Sequence, residues 1–157
     1  MYQHFLFDFD NTLFDTEKRK TAFYAMAEIH GYTREEAKAI YKKARLAGDR
    51  IAISLASFLH ALKEHIIADG KVFLADEVSH IIVGMDKGQC LVPFAKELLV
   101  RVSDEKVDRH LITLGVRGWQ EEKMRIAGMQ KYFAEDQIHI VDGIFSDKLA
   151  VVRDIYG

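Results

Sequence analysis

The run Phe5-Leu6-Phe7-Asp8-Phe9-Asp10 constrains this chain more than any other stretch. Apolar residues at successive positions describe a strand buried on both faces, as strands of parallel sheets are. Two carboxylates nevertheless stand two residues apart at its end. Side chains at i and i+2 of a strand share a face, so the two charges repel one another. A buried carboxylate is costly unless it is paired or bound to a metal. A cation is therefore expected beside Asp8 and Asp10, at the end of a strand read over residues 4–9 and closed by a turn at Asn11.

Past this strand the periodicity changes. Phe23, Met26, Ala27 and His30 fall on one helical face that Gly31 terminates. Thr33 and Glu36 form a T-x-x-E capping box for a second helix running to about Leu46. Ile51, Leu55, Phe58, Leu59, Leu62 and Ile66 repeat every three or four positions as the stripe of a third helix, ending near Asp69-Gly70. A fourth helix is expected from Ala75 to Val83. Strand signals then return. Phe94 to Val102 reads as a helix with Pro93 at or near its first turn, His110 to Leu114 as a strand closed by Gly115, Gln120 to Met129 as a helix, and Gln137 to Val141 as a third strand. A last helix is expected from Leu149 to Tyr156.

Strands alternating with helices imply right-handed crossovers and a parallel sheet. The expected fold is therefore α/β, a doubly wound, Rossmann-like parallel sheet core with an inserted all-α lobe. The core would take residues 1–15 and 90–157, and the lobe residues 16–89.

Composition removes several function classes. A net charge of −2 gives no electrostatic case for nucleic acid or an anionic membrane, and Lys18-Arg19-Lys20 reads as a solvated helix start. No apolar stretch approaches the about 20 residues that span a bilayer, and the N-terminus does not read as a signal peptide. The single cysteine, Cys90, permits no internal disulfide, which fits a cytoplasmic protein; it reads as a packing residue. The seven histidines show no metal spacing: His60 and His65 lie five apart, off the i, i+4 pattern of helical zinc sites.

Ligands of open α/β sheets bind beyond the carboxyl ends of the strands. The first strand ends at Asp8 and Asp10 and the second at Thr113. The third is followed by the stretch Asp142 to Lys148, read as a loop that closes with a lysine. Two carboxylates, a hydroxyl and an ammonium on one rim can hold Mg²⁺ and a phosphoryl group. Lys123 and Lys131 are rivals for the lysine, but they fall in or beside a helix rather than past a strand.

On these residues the chain resembles the haloacid dehalogenase-like superfamily. FDFDNTLFD matches its first motif, an apolar strand followed by D-x-D-x-T; LITLG matches its second, a strand ending in Thr or Ser; and Lys148 stands where its third-motif lysine is found. The helical lobe falls where the family inserts an α-helical cap. The resemblance implies that Asp8 is the nucleophile forming an aspartyl-phosphate and that Asp10 is the general acid and then base. It further implies that Asp8 and the Asp10 backbone carbonyl hold Mg²⁺, that Thr113 binds phosphoryl oxygens, that Lys148 offsets the charge of Asp8 and phosphate, and that Thr12 shapes the turn. An acid at position 10 favours phosphatase chemistry over dehalogenation, since the dehalogenase branch usually lacks it. The implied partner is a small phosphorylated metabolite, with a cap that closes over it and sets specificity.

The family's fourth motif, an acidic pair on a further strand, has no counterpart after Lys148. Asp142 and Asp147 would serve only as a displaced version. The expectation is that the C-terminal strands of the core are absent from this chain. The first strand would then be an apolar sheet edge, a recognised association hazard, covered by a longer form of the protein or by a second copy in a homo-oligomer. Two other function classes compete. A receiver domain also gathers acids, Thr and Lys at strand ends, but carries no helical insertion after its first strand. A non-catalytic domain that binds metal, phosphate or a partner without efficient turnover accounts for the missing motif.

Overall fold

The structure, a computed structural model, describes residues 4–46, 53–86, 90–104, 107–142 and 145–156. The chain divides into two compact units, Met1–Thr16 with Gln89–Gly157, and Glu17–Gly88.

The first unit is built on β1 (His4–Asp8), β2 (Asp108–Leu114) and β3 (Ile138–Val141). They form a parallel sheet in the order β1-β2-β3, with Phe7 beside Leu111 and Thr113 beside Ile140. This is the Rossmann-like α/β architecture expected of strands joined through helices. Among the described residues β1 pairs with β2 alone.

Because side chains alternate across a strand, the sheet has two chemically different faces. Phe7, Leu111 and Ile140 point to the first, where they pack with Phe9, Leu13, Phe14, Leu99, Met124 and Met129 in one apolar cluster. Leu99 belongs to α5 (Ala95–Asp104) and Met124 to α6 (Arg117–Ala127), so these helices cover that face. The other face carries His4, Leu6, Asp8, His110, Ile112 and His139 in register. Over it lies α7 (Phe145–Tyr156), whose Tyr156 ring meets His4 edge-on at 5.5 Å.

Immediately after β1 the chain turns back on itself. Thr12, Leu13 and Phe14 N–H groups all donate to the Phe9 carbonyl at 2.9–3.3 Å, and Asn11 takes φ 58°. Asparagine is one of the few side chains that tolerates this left-handed region. The turn holds Asp8 and Asp10 at the rim of the sheet.

The second unit contains α1 from Glu17 onward (the whole helix spans Thr16–Glu28), α2 (Arg34–Leu46), α3 (Leu55–Ala68) and α4 (Ala75–Asp86). Phe23, Met26, Ala27, Ile40, Phe58, Leu62 and Ile66 are buried, as the helical stripes require. The Thr33–Glu36 capping box is present: Glu36 N–H donates to Thr33 Oγ1 at 3.2 Å, and Thr33 N–H donates to Glu36 Oε2 at 2.7 Å. A second box, Ser54 with Ser57, starts α3 at Leu55; Ile51, which the apolar stripe included, lies outside the described residues. His30 is buried, with Nδ1 2.6 Å from the Met26 carbonyl and Nε2 accepting from Leu74 N–H at 2.9 Å. It joins the end of α1 to the segment leading into α4.

Several boundaries differ from those read in the sequence, four of them by a change that bears on the site or its supports. Strand β2 starts two residues earlier, at Asp108, where it can pair with His4. Helix α5 starts at Ala95 because Phe94 has φ 66°, which no α-helical turn allows; Pro93 therefore precedes the helix. Helix α6 spans Arg117–Ala127 rather than Gln120–Met129, since Gly128 takes the left-handed C-cap at φ 68° and Met129 opens a short 3₁₀ turn. Helix α7 begins at Phe145, so Lys148 sits in a helix rather than closing a loop. Asp147 in the first turn of α7 complements the positive end of its dipole.

Candidate active site

Asp8 ends β1, and its carboxylate pairs with the Lys148 ammonium from α7. The Asp8 side chain is 45% exposed, whereas that of Lys148 is 18% exposed. The acid is thus open to a ligand while its cation is held in place. The other Asp8 oxygen carries a long 3.4 Å contact from Thr12 Oγ1.

Asp10 is more enclosed. Its Oδ1 accepts from Thr16 Oγ1 at 2.6 Å and from Lys123 Nζ at 2.5 Å, and its Oδ2 accepts from Gln120 Nε2 at 2.8 Å. Burial by itself would raise the pKa of this carboxyl. The Lys123 charge and the hydrogen bonds of Gln120, Lys123 and Thr16 outweigh it and hold the pKa below the usual 3.8. The positive charge expected next to the paired acids is therefore supplied in part by the protein. One lysine comes from each face of the sheet, Lys148 from α7 to Asp8 and Lys123 from α6 to Asp10.

Thr113 is buried near the end of β2, with its Oγ1 2.8 Å from Gln120 Nε2. The same amide nitrogen reaches the Leu114 carbonyl at 2.8 Å. Gln120 thereby ties β2 to Asp10. It passes close over Gly115: a Cβ built there would lie 2.8 Å from Gln120 Nε2, and Gly115 has φ 153°. Position 115 admits only glycine without moving Gln120.

The four residues singled out in the sequence are thus gathered, Asp8 with Lys148 directly and Asp10 with Thr113 through Gln120. Asp142 directly follows β3 and Asp147 lies on α7, both exposed. Gln120 and Thr16 do not stand out in the sequence, where Lys123 reads as a helix residue rather than the site lysine. A usable signal existed in the helix that follows Thr113. Gln120 and Lys123, three residues apart, share a helical face with Met124, and all three are buried. Polar groups on an apolar face need partners, and the nearest unsatisfied charges were the acids.

The donor set suits a hard divalent cation. Mg²⁺ takes oxygen ligands from one or two carboxylates and completes its shell with waters and substrate phosphate. Asp8 offers a half-exposed carboxylate. Both side-chain oxygens of Asp10 are already engaged, which leaves the backbone carbonyl as the Asp10 oxygen suited to a metal.

The sequence model of the family described as "Hydrolase: haloacid dehalogenase-like hydrolase" matches residues 2–152. Among solved structures, a haloacid dehalogenase-like family hydrolase from Xanthomonas campestris shares 19% identity and a TM-score of 0.60, covering 98% of this chain and 68% of that one. The YfnB protein of Bacillus subtilis, in a structure bound to magnesium, shares 18% identity and a TM-score of 0.56, covering 88% and 63%. The L-2-haloacid dehalogenase of Xanthobacter autotrophicus shares 16% identity and a TM-score of 0.54, covering 100% and 66%. The chain thus spans about two thirds of the length of these proteins. No curated protein sequence matches it. Among the described residues no helix is long and apolar enough to cross a membrane.

Proposed function

Since this chain belongs to the haloacid dehalogenase-like hydrolases, we propose that it is a Mg²⁺-dependent phosphohydrolase acting on a small phosphorylated metabolite through an aspartyl-phosphate. The observation that carries this reading is the half-exposed Asp8 carboxylate, paired with Lys148 at a strand end and followed two residues later by an enclosed Asp10.

An oxygen of Asp8 attacks phosphorus, and the bond from phosphorus to the ester oxygen breaks. Asp10 gives its proton to the departing alkoxide. In the second step Asp10 takes a proton from water, the water oxygen attacks the phosphoryl group, and the bond to Asp8 breaks to release phosphate. Lys148 lowers the repulsion between the Asp8 carboxylate and a dianionic phosphate. Thr113 binds a phosphoryl oxygen once its hydroxyl turns from Gln120. Mg²⁺, held by the Asp8 carboxylate and the Asp10 backbone carbonyl, would supply charge neutralisation and orient the phosphate. The contacts of Asp10 with Lys123, Gln120 and Thr16 favour its carboxylate form, the form needed to accept a proton from water. Donation to the leaving group requires that these contacts loosen as substrate binds.

The test is hydrolysis of a generic aryl phosphate in Mg²⁺. Asp8→Asn should abolish turnover, because an amide is not a nucleophile here. Asp10→Asn should reduce it by about 10²–10⁴-fold. Turnover undiminished in Asp8→Asn would refute the mechanism. A second reading is a domain that holds metal and phosphate without efficient turnover, favoured by the contacts that hold Asp10 as a carboxylate with no proton to donate. Retained Mg²⁺ binding without turnover would select it. Release of halide from a 2-haloacid by the same Asp8 would instead place the chain's chemistry with the dehalogenase neighbour.

A further inference from the structure

The opposite end of the sheet carries a second cluster of metal-ligating groups. His4 opens β1, and Asp108 and His110 lie at the start of β2. In register, His4 pairs with Asp108, and His110 stands two residues on, on the same face. One ligand atom from each of these three residues lies within 4.8 Å of the other two. His4 Nδ1 is 3.7 Å from Asp108 Oδ2. That nitrogen is itself buried and has no hydrogen-bond partner among the described residues. His4 stands four residues before Asp8, about 13 Å along the strand, so the cluster is separate from the acids of the candidate active site.

We propose that His4, Asp108 and His110 form a binding site for a borderline divalent transition-metal cation such as Zn²⁺, which clamps the start of β1 to β2. Two imidazoles and one carboxylate are the donor set such ions take, with a fourth position left for water. Bonds of about 2.0–2.1 Å in a tetrahedral site hold ligand atoms roughly 3.4 Å apart. The 3.7 Å separation of His4 and Asp108 needs only a small closure to reach this.

The surroundings also match what a ligating histidine needs. Such a ring has its other nitrogen fixed by a neighbour, which sets its tautomer. His110 Nδ1 lies 3.0 Å from His139 Nε2 on β3. When His110 donates from Nδ1, its Nε2 carries the lone pair for the metal. His139 is then a positioning residue that links the third strand to the site. The Tyr156 ring, edge-on to His4 at 5.5 Å, limits the orientations open to that imidazole. Hard Mg²⁺ does not compete well for nitrogen ligands, so the two metal sites would be chemically sorted.

The experiment uses the whole chain with Zn²⁺ alone by titration calorimetry and thermal unfolding, and Co²⁺ alone as an optical probe. One Zn²⁺ per chain should bind, and at hundredfold excess over Kd it should raise Tm by about 5–10 °C. Co²⁺ should give visible d–d bands that Zn²⁺ bleaches and Mg²⁺ does not. His110→Gln and Asp108→Asn should remove both signals. His139→Phe, which touches no metal, should weaken binding by about 10–100-fold while leaving the stoichiometry at one. His60→Ala, an exposed histidine elsewhere, should change nothing. The Co²⁺ spectrum of the unaltered chain keeps the test decisive even if a variant fails to fold. Absence of bands and of a Tm shift in the unaltered chain would overturn the proposal. So would Zn²⁺ affinity that survives His110→Gln and Asp108→Asn undiminished.

Discussion

Replacing Lys123 by Met probes what the protein does to Asp10. The side chain of Lys123 is 5% exposed and that of Asp10 29% exposed, with their charges 2.5 Å apart. Methionine matches the length and apolar packing of the lysine stem without its charge. The substitution removes a charge-assisted hydrogen bond, worth about 1.5–3 kcal/mol, and replaces the ammonium that lies over the Phe9 and Phe14 rings at 5.5 and 5.4 Å with a sulfur that can contact the same rings. Thr16 and Gln120 still donate to the carboxylate, so the acid is weakened rather than orphaned, and the loss stays within that range. At neutral pH the variant should melt roughly 3–12 °C lower.

The pH dependence gives a sharper signature. In the unaltered protein the folded pKa of Asp10 lies below 3.8. Its contribution to stability is therefore fully present above the unfolded value and is lost as pH falls through the lowered folded one. Without Lys123 the burial effect is less opposed and the folded pKa rises. The unaltered protein's advantage should therefore shrink as the pH falls and the variant protonates Asp10. Thermal unfolding followed by circular dichroism from neutral pH through the carboxylate range measures this. In an Asp10→Asn background Lys123→Met should cost much less. An equal cost in both backgrounds, or a pH-independent difference, would refute the coupling of Lys123 to Asp10.

Three further outcomes follow from the same structure. Gly115→Ala places a Cβ 2.8 Å from Gln120 Nε2 at a positive φ and should destabilise by about 1–3 kcal/mol; in a Gln120→Ala background only the backbone part of that cost should remain by urea unfolding. Thr33→Ala removes the cap of α2 and should cost about 1 kcal/mol. Backbone and side-chain hydrogen bonds from Thr33 hold the Glu36 pKa below 4.5, so part of the difference between the two proteins should fade as pH drops through that lowered value. Chelation with EDTA should abolish aryl phosphate hydrolysis and added Mg²⁺ should restore it, with the far-ultraviolet circular dichroism of the second unit's helices unchanged throughout.

Several features of this protein follow from local chemistry and are written in its sequence. A strand with apolar residues on both parities has to be covered on both faces, so Phe5 to Phe9 dictated a layered α/β core. Thr33 with Glu36, and the apolar stripe through Phe58, Leu62 and Ile66, dictated helices because capping and amphipathicity act within a few residues. Asp8, Asp10 and Thr113 stand out in the sequence as candidates because strand ends are where a parallel sheet presents its chemistry, whereas Lys148, on α7, stands out only by its place in the order of the motifs. What the sequence could not supply were distances between residues far apart along the chain. Gln120 and Lys123 belong to the site only because α6 packs on the face carrying Phe7 and Leu111, which turns a buried amide and a buried ammonium toward Asp10. His4, Asp108, His110 and His139 show no spacing along the chain, and it is strand register that brings them to one face. Hydrogen bonds and ion pairs act over about 3–4 Å, and at that range only the tertiary fold decides which of the chain's charges meet.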